Sequence, residues 1–401
     1  MTDPGARSNW LALAVTLAIQ ALASMAVLTA AVMAPVVAKA LGVSPTYLGL
    51  YIAIVYVGAM VASLAAGAAV ARFGAIRVSQ AGLLLCAAGL LLCMLPSVWT
   101  FALGGLLIGL GYGPITPASS WLLALTTLPH RMSLVFSIKQ TGVPVGGMLA
   151  GALVPTMLLL SGWQGALAAV AAANVLCALG AQPLRAQLDA DREPGKPLKL
   201  GNLVQPIRVV LSQRPLATLA ACSFVFSTAQ LVLTGYLVTY LSQVMAYGLV
   251  TAGLALSVAQ IGGIGGRIVW GYVADRGLGA NRTLAALAFI MAASSLATAL
   301  LNTGMPTLLV FAILFVFGAS ATGWNGVYLA EVARRAPPGM AGIATGGTLA
   351  ITFLGVVLGP PVFGAVSAAM GSFRYGYAAL TLPVLLCGIV LVRNRKERLA
   401  A

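Results

Sequence analysis

From Trp10 to Arg393 the sequence is a succession of apolar runs separated by short polar breaks, and most runs hold the ~20 or more residues that a helix needs to cross a bilayer core. The runs begin near Trp10, Thr46, Ile76, Val98, Met132, Gly162, Pro215, Gly248, Arg282, Met305, Gly339 and Phe373. In hydrocarbon each backbone N–H and C=O must find its partner within the segment, so runs of this length become helices. The expected fold is therefore an all-α membrane protein with twelve transmembrane helices. The first run is too long for the ~7–15-residue core of a secretion signal, and eleven more follow it, so it is expected to stay as a helix.

Charge fixes the expected orientation. Only 7% of residues are charged, against about 25% in a globular protein. The net charge of +15 comes from 22 Lys and Arg against 7 Asp and Glu. If the N-terminus is cytoplasmic, Lys39 and Arg374 fall outside, Lys139 and Arg267 fall within spans, and every other Lys and Arg falls on the cytoplasmic side. That asymmetry places both termini and the central loop in the cytoplasm, in a bacterial inner (plasma) membrane. The basicity is thus topology, with anionic lipid headgroups as contacts and no nucleic acid partner. The five cysteines lie inside spans without metal or disulfide spacing, and a glycine-rich nucleotide loop would need a strand before it. No Ser-His-Asp, paired-acid or metal pattern occurs. The chain is expected to be a monomer, not an enzyme, and to carry neither cofactor nor metal.

Between Ala181 and Pro215 the apolar pattern breaks and Asp189, Asp191, Glu193, Pro194, Gly195 and Pro197 arrive together. This polar linker, residues 182–214, divides a six-helix bundle over 1–181 from a second over 215–401. Leu203, Ile207, Val210 and Leu211 fall on one face of its second part, as in an interfacial amphipathic helix.

The two halves echo each other. Gly67 to Arg77 closes the second span and Gly271 to Arg282 closes the eighth, 204 residues further on. A parallel repeat of this kind places a substrate site at the interface between halves. At these residues the chain resembles the major facilitator superfamily, whose Gly-x-x-x-Asp-Arg-x-Gly loop follows the second helix and often the eighth. Gly271, Asp275, Arg276 and Gly277 match the second copy. The first keeps Gly67, Arg72 and Gly74, but Ala71 stands where the acid belongs. The resemblance implies two six-helix bundles joined by a cytoplasmic linker, and transport by alternating access.

Within the spans the informative residues are two cations. Arg267 stands inside the eighth run, and a guanidinium cannot shed its charge, so it needs a partner, a wet cavity or a ligand. No acid lies in the apolar part of any span, and Asp275 is about 12 Å along the helix. Arg267 therefore reads as a receptor for an external negative charge; the alternative is an arginine satisfying backbone carbonyls. Lys139, about eight residues into the fifth span, lies at a similar depth. Its alternative is snorkelling to the interface. The resemblance implies that the fifth and eighth helices face each other across the cleft, so that an anion would relieve the repulsion of two cations.

Around them, Gln140 neighbours Lys139, and Gln260 lies seven residues before Arg267 on the same face. Trp324 and Asn325 place an indole and an amide inside the tenth span. Tyr56, with Tyr112 and Gln20, follows as a cleft candidate from the resemblance. Asp275, Arg276, Arg72, Arg131 and Glu331 are candidates for gating, and the resemblance puts Asp275 near the first turn of the fifth helix. For Glu331 a solvated helix end is the simpler reading.

These residues point to a secondary active transporter, symporter or antiporter, for a small organic anion such as a mono- or dicarboxylate, with a coupling proton or counter-substrate as a further partner. The arginine eight residues before Asp275 is similar to that of the monocarboxylate and oxalate/formate branches of the superfamily. The alternative is a multidrug or metabolite efflux antiporter. Gly142-Val143-Pro144 loosely resembles the fifth-helix antiporter motif, but Val143 separates the glycine and proline that the motif keeps adjacent.

Overall fold

The computed structural model of the protein describes residues 4–42, 47–195, 204–247 and 249–399. Among these residues seventeen α-helices follow one another: α1 (Pro4–Val32), α2 (Ala34–Leu41), α3 (Tyr47–Phe73), α4 (Ala75–Leu92), α5 (Val98–Tyr112), α6 (Ile115–Thr126), α7 (Met132–Gln140), α8 (Gly142–Gly180), α9 (Arg185–Leu188), α10 (Gln205–Ser212), α11 (Arg214–Val244), α12 (Leu249–Val273), α13 (Ala280–Ala299), α14 (Thr307–Ala321), α15 (Asn325–Arg335), α16 (Ala341–Ala369) and α17 (Phe373–Leu399). No strand occurs among the described residues.

Ten helical stretches among the described residues are long and apolar enough to cross a membrane, and the chain is an integral membrane protein. The two expected spans that are not among the ten begin at Met132 and Gly248. They correspond to α7 with the first part of α8, and to α12, so both are helical. α8 is itself two helices, because Gly162 at φ 71° and ψ 177° breaks it where the sixth run was expected to begin. Only glycine takes that conformation at no steric cost.

The helices pack into two compact units. One comprises Met1–Leu128, Ile138–Gln213 and Val332–Ala350. In it α1 lies along α8, α5 lies against both α3 and α4, and α4 against α8. The approach of α1 to α8 depends on glycine: a Cβ on Gly142 would come within 2.8 Å of the Leu17 carbonyl oxygen, and one on Gly146 within 2.1 Å of that of Ala21. In a membrane such small-residue contacts replace the hydrophobic drive that lipid tails cancel. Of the linker, residues 196–203 lie outside the described ones, Leu203 with them. α10 seats Pro206 and Val210 against Gly347 of α16 and leaves Leu211 exposed.

The other unit comprises Pro129–Ser137, Arg214–Glu331 and Ile351–Ala401. Here α13 packs on α17 and α14, and α12 on α14 and α11. α12 meets α14 through Gly262 and Gly266, where a Cβ would come within 2.2 Å and 2.4 Å of the carbonyl oxygens of Phe315 and Ala319. One π-helical turn, Ala274–Leu278, closes α12.

Candidate functional site

In the first unit a lysine side chain is sealed inside the bundle. Lys139 is 1% exposed, so its stem does not carry the ammonium to an interface. The Nζ donates to Gln20 Oε1 at 2.8 Å, to Gln140 Oε1 at 2.9 Å and, at a long 3.5 Å, to Thr116 Oγ1. Thr116 in turn donates its hydroxyl to Gln20 Oε1 at 3.0 Å. Gln20 comes from α1, Thr116 from α6, and Lys139 with Gln140 from the end of α7. These contacts bring oxygens from α1, α6 and α7 to one amine, acceptors that suit an N–H donor. Tyr56 on α3 is half-buried and Tyr112 on α5 is buried in the same unit. Thr116 carries no sequence signal beyond one hydroxyl in an apolar run.

The second unit holds Arg267, 3% exposed. The tenth span is interrupted by a turn over Thr322–Trp324, between α14 and α15. Side chains take up carbonyls around the break. Arg267 Nε donates to the Thr322 carbonyl at 2.9 Å, Trp270 Nε1 to that of Ala319 at 2.9 Å, and Trp324 Nε1 to that of Ala321 at 3.1 Å. The carbonyl alternative for Arg267 is thus realised at Nε. Anchoring that nitrogen also fixes the plane in which the terminal nitrogens of the fork lie.

Asn325 donates to Gln230 Oε1 at 3.1 Å, so the facing helix is α11. Gln230 was not singled out from sequence, although an amide in the apolar middle of the seventh run was its signal. Trp324 is packed edge-on against Phe226 and Tyr328. Gln260 stands on α12 with its Oε1 buried and without a hydrogen-bond partner.

Asp275 accepts the backbone N–H of Ser133 on Oδ1 at 3.1 Å and that of Leu134 on Oδ2 at 2.7 Å, at the first turn of α7. α7 comes close enough because Gly271 and Gly326 carry no side chain; a Cβ on either would lie within 2.6 Å of Ser137. The Arg276 guanidinium lies over the Tyr272 ring at 5.0 Å, and that of Arg72 over Phe73 at 5.4 Å. Arg131 is exposed and Glu331 half-buried in α15.

At the first copy of the loop, a distant segment supplies an acid. Asp189 accepts from the amides of Ile76 at 2.8 Å and Arg77 at 3.1 Å, and lies 3.7 Å from the Arg185 Nε. Gly74, at φ 92°, leaves room where a Cβ would lie 2.2 Å from the Asp189 carboxyl carbon. The Glu193 N–H reaches the carbonyl of Ala71 at 2.8 Å, and Trp121 Nε1 donates to Asp191. Burial raises the Asp189 carboxyl above its usual 3.8, helped by Asp191, while the two amides and Arg185 oppose the rise.

The model of the Major Facilitator Superfamily matches residues 16–360. The chain belongs to the Major Facilitator Superfamily. It is accordingly a transporter and not an enzyme. Its fold is similar to the Escherichia coli fucose:proton symporter FucP (TM-score 0.75, 17% identity, covering 97% of this chain and 99% of that one). It is also similar to the human organic anion transporter MFSD10 (0.75, 18%, 97% and 100%) and to the proton:xylose symporter XylE (0.77, 14%, 97% and 96%). At these identities the likeness is one of fold. No curated protein matches the chain.

Proposed function

We propose that this chain is a secondary active transporter of a small organic anion, a short carboxylate, with Arg267 and Lys139 as the cations that receive it. The observation that carries the reading is the burial of a permanently charged guanidinium at 3% exposure in a chain whose seven acids all lie outside the apolar middle of its spans. A buried charge of this kind is costly and marks a site by default. The fold-level likeness to an organic anion transporter adds nothing to it; the charge does.

Anchoring Nε on Thr322 suits the guanidinium to planar, two-point recognition of a carboxylate. Lys139 fits the role of a second point charge, held in place by the side-chain oxygens of Gln20 and Gln140. Both termini are read as cytoplasmic from the distribution of Lys and Arg.

The experiment is transport in proteoliposomes. Uptake or counterflow of radiolabelled short carboxylates, abolished by Arg267→Ala, supports the reading. Efflux of a lipophilic cation with no response to any acid would assign the chain to drug export instead.

A further inference from the structure

Gln260 and Arg267 are seven residues apart on α12, close to two full turns, so their side chains leave one face with Cα atoms about 10 Å apart. Three stripes of that helix are distinguishable. Leu254, Ile261, Ile268 and Val269 are exposed and mark the lipid side. Gly262, Gly263 and Gly266 meet Phe315, Thr322 and Ala319, the side toward the tenth span. Gln260 and Arg267 share a third, off the lipid side, and Gly271 continues it to the contact with Ser137. One end of this polar stripe is tied down, since Arg267 Nε is held by Thr322. The other is not: the Gln260 Oε1 is buried and accepts no hydrogen bond. Buried acceptors are nearly always paired, so an orphan on the same face as the anion receptor calls for a donor that arrives with the ligand.

We propose that Gln260 is a specificity-determining residue that binds the far end of the substrate, and that the substrate is a hydroxycarboxylate. Its carboxylate sits on Arg267 and its hydroxyl donates to Gln260 Oε1. The inference rests on the anion reading above and narrows it. A second carboxylate has no proton to offer Oε1 and would be met only by turning the amide so that Nε2 donates. An unsubstituted acid leaves the orphan unpaired. One hydrogen bond between neutral groups corresponds to about a tenfold preference.

The test is a thermal-shift titration of the purified full-length protein with the unbranched acids propionate through hexanoate. Each acid is compared with its terminally hydroxylated and its dicarboxylate counterpart. At the best chain length, the hydroxy acid is expected to bind about tenfold more tightly than the plain acid. Gln260→Leu should erase that preference. Because Oε1 makes no bond in the empty protein, Gln260→Leu should also keep or raise the unliganded melting temperature. A wild type that does not distinguish the members of a set, or that prefers the dicarboxylates, overturns the proposal while the anion site stands. So does a Gln260→Leu protein that melts lower and loses all acids equally, the mark of a packing residue. If no acid shifts the wild type, the anion reading itself fails and takes the proposal with it.

Discussion

Arg267 donates its Nε to the carbonyl of Thr322 at 2.9 Å, beside the break that divides the tenth span into α14 and α15. An ammonium in its place could take that carbonyl or a ligand carboxylate, but it has no rigid fork with which to hold both in one plane. Arg267→Lys is therefore expected to remain folded and to lose about 10–100-fold in carboxylate affinity, the scale of one charge-assisted bidentate contact. Counterflow in proteoliposomes, with size-exclusion profiles as the folding control, measures both. Unchanged transport would remove Arg267 from the site.

Lys139 stabilises the oxygens around it as much as they stabilise Lys139. Substituting methionine keeps the length of the side chain and removes a donor from Gln140 Oε1 and the shorter of two donors from Gln20 Oε1, which keeps the Thr116 hydroxyl, at about 0.5–1.5 kcal/mol for each hydrogen bond lost. Lys139→Met should thus lower the melting temperature of the ligand-free protein, and Lys139→Gln, which retains a donor, should lower it less. Equal melting temperatures for all three proteins would show that the network contributes nothing to folding.

The legible part of this molecule is what local pattern determines. Runs of apolar residues specify helices because the bilayer leaves no alternative, and Gly162 announces the start of the sixth expected span by its place between two runs. What was not legible depends on residues far apart in the chain. Depth allowed Lys139 either to snorkel or to be sealed, and the outcome was decided by Gln20 and Thr116 from two other helices. The turn at Thr322–Trp324 has only one glycine to announce it, and glycine is common throughout the spans. A lone hydroxyl or amide such as Thr116 or Gln230 is easily satisfied by its own helix, so neither stood out. Ala71 read as a missing acid, and the docking of the 189–193 segment against that loop became visible only in three dimensions.

Asp189 ties this segment to the start of α4, so its removal should loosen the first unit. Asp189→Ala is expected to cost about 0.5–2 kcal/mol, as for other helix caps, and Asp189→Asn less, because one oxygen can still accept. The pH dependence has a definite sign. Burial raises the folded carboxyl above 3.8, so between that value and its raised one the folded state holds more protons than the unfolded. Stability from this group is present at the acid end and lost as pH rises through the window. The melting temperature of wild type minus that of Asp189→Asn should therefore grow as the pH falls toward 3.8. A difference that shrinks on acidification would mean that the two amides and Arg185 outweigh burial.

Asp275 makes the corresponding tie in the second unit, with the difference that the acid belongs to the loop itself. Its two oxygens take the amides of Ser133 and Leu134, two of the donors that the first turn of α7 leaves without a helical partner. A carboxylate there also meets the positive end of the helix dipole, an effect of about 0.3–1 kcal/mol when exposed and up to ~2 when partly buried. Such a contact acts as a latch only if α7 and the end of α12 separate at some stage of transport. Asp275→Asn keeps the shape of the side chain and one acceptor but removes the charge. The separated arrangement should then gain population by the same free energy, a factor of roughly 2–30. Spin labels at His130→Cys, in the helical turn Pro129–Arg131 before α7, and at Gly277→Cys, in the π-helical turn that closes α12, report that distance directly. The variant should show a larger fraction of long distances than wild type, and carboxylate should shift both populations. Identical distance distributions would mean that Asp275 only caps α7, and that the closing contact lies elsewhere.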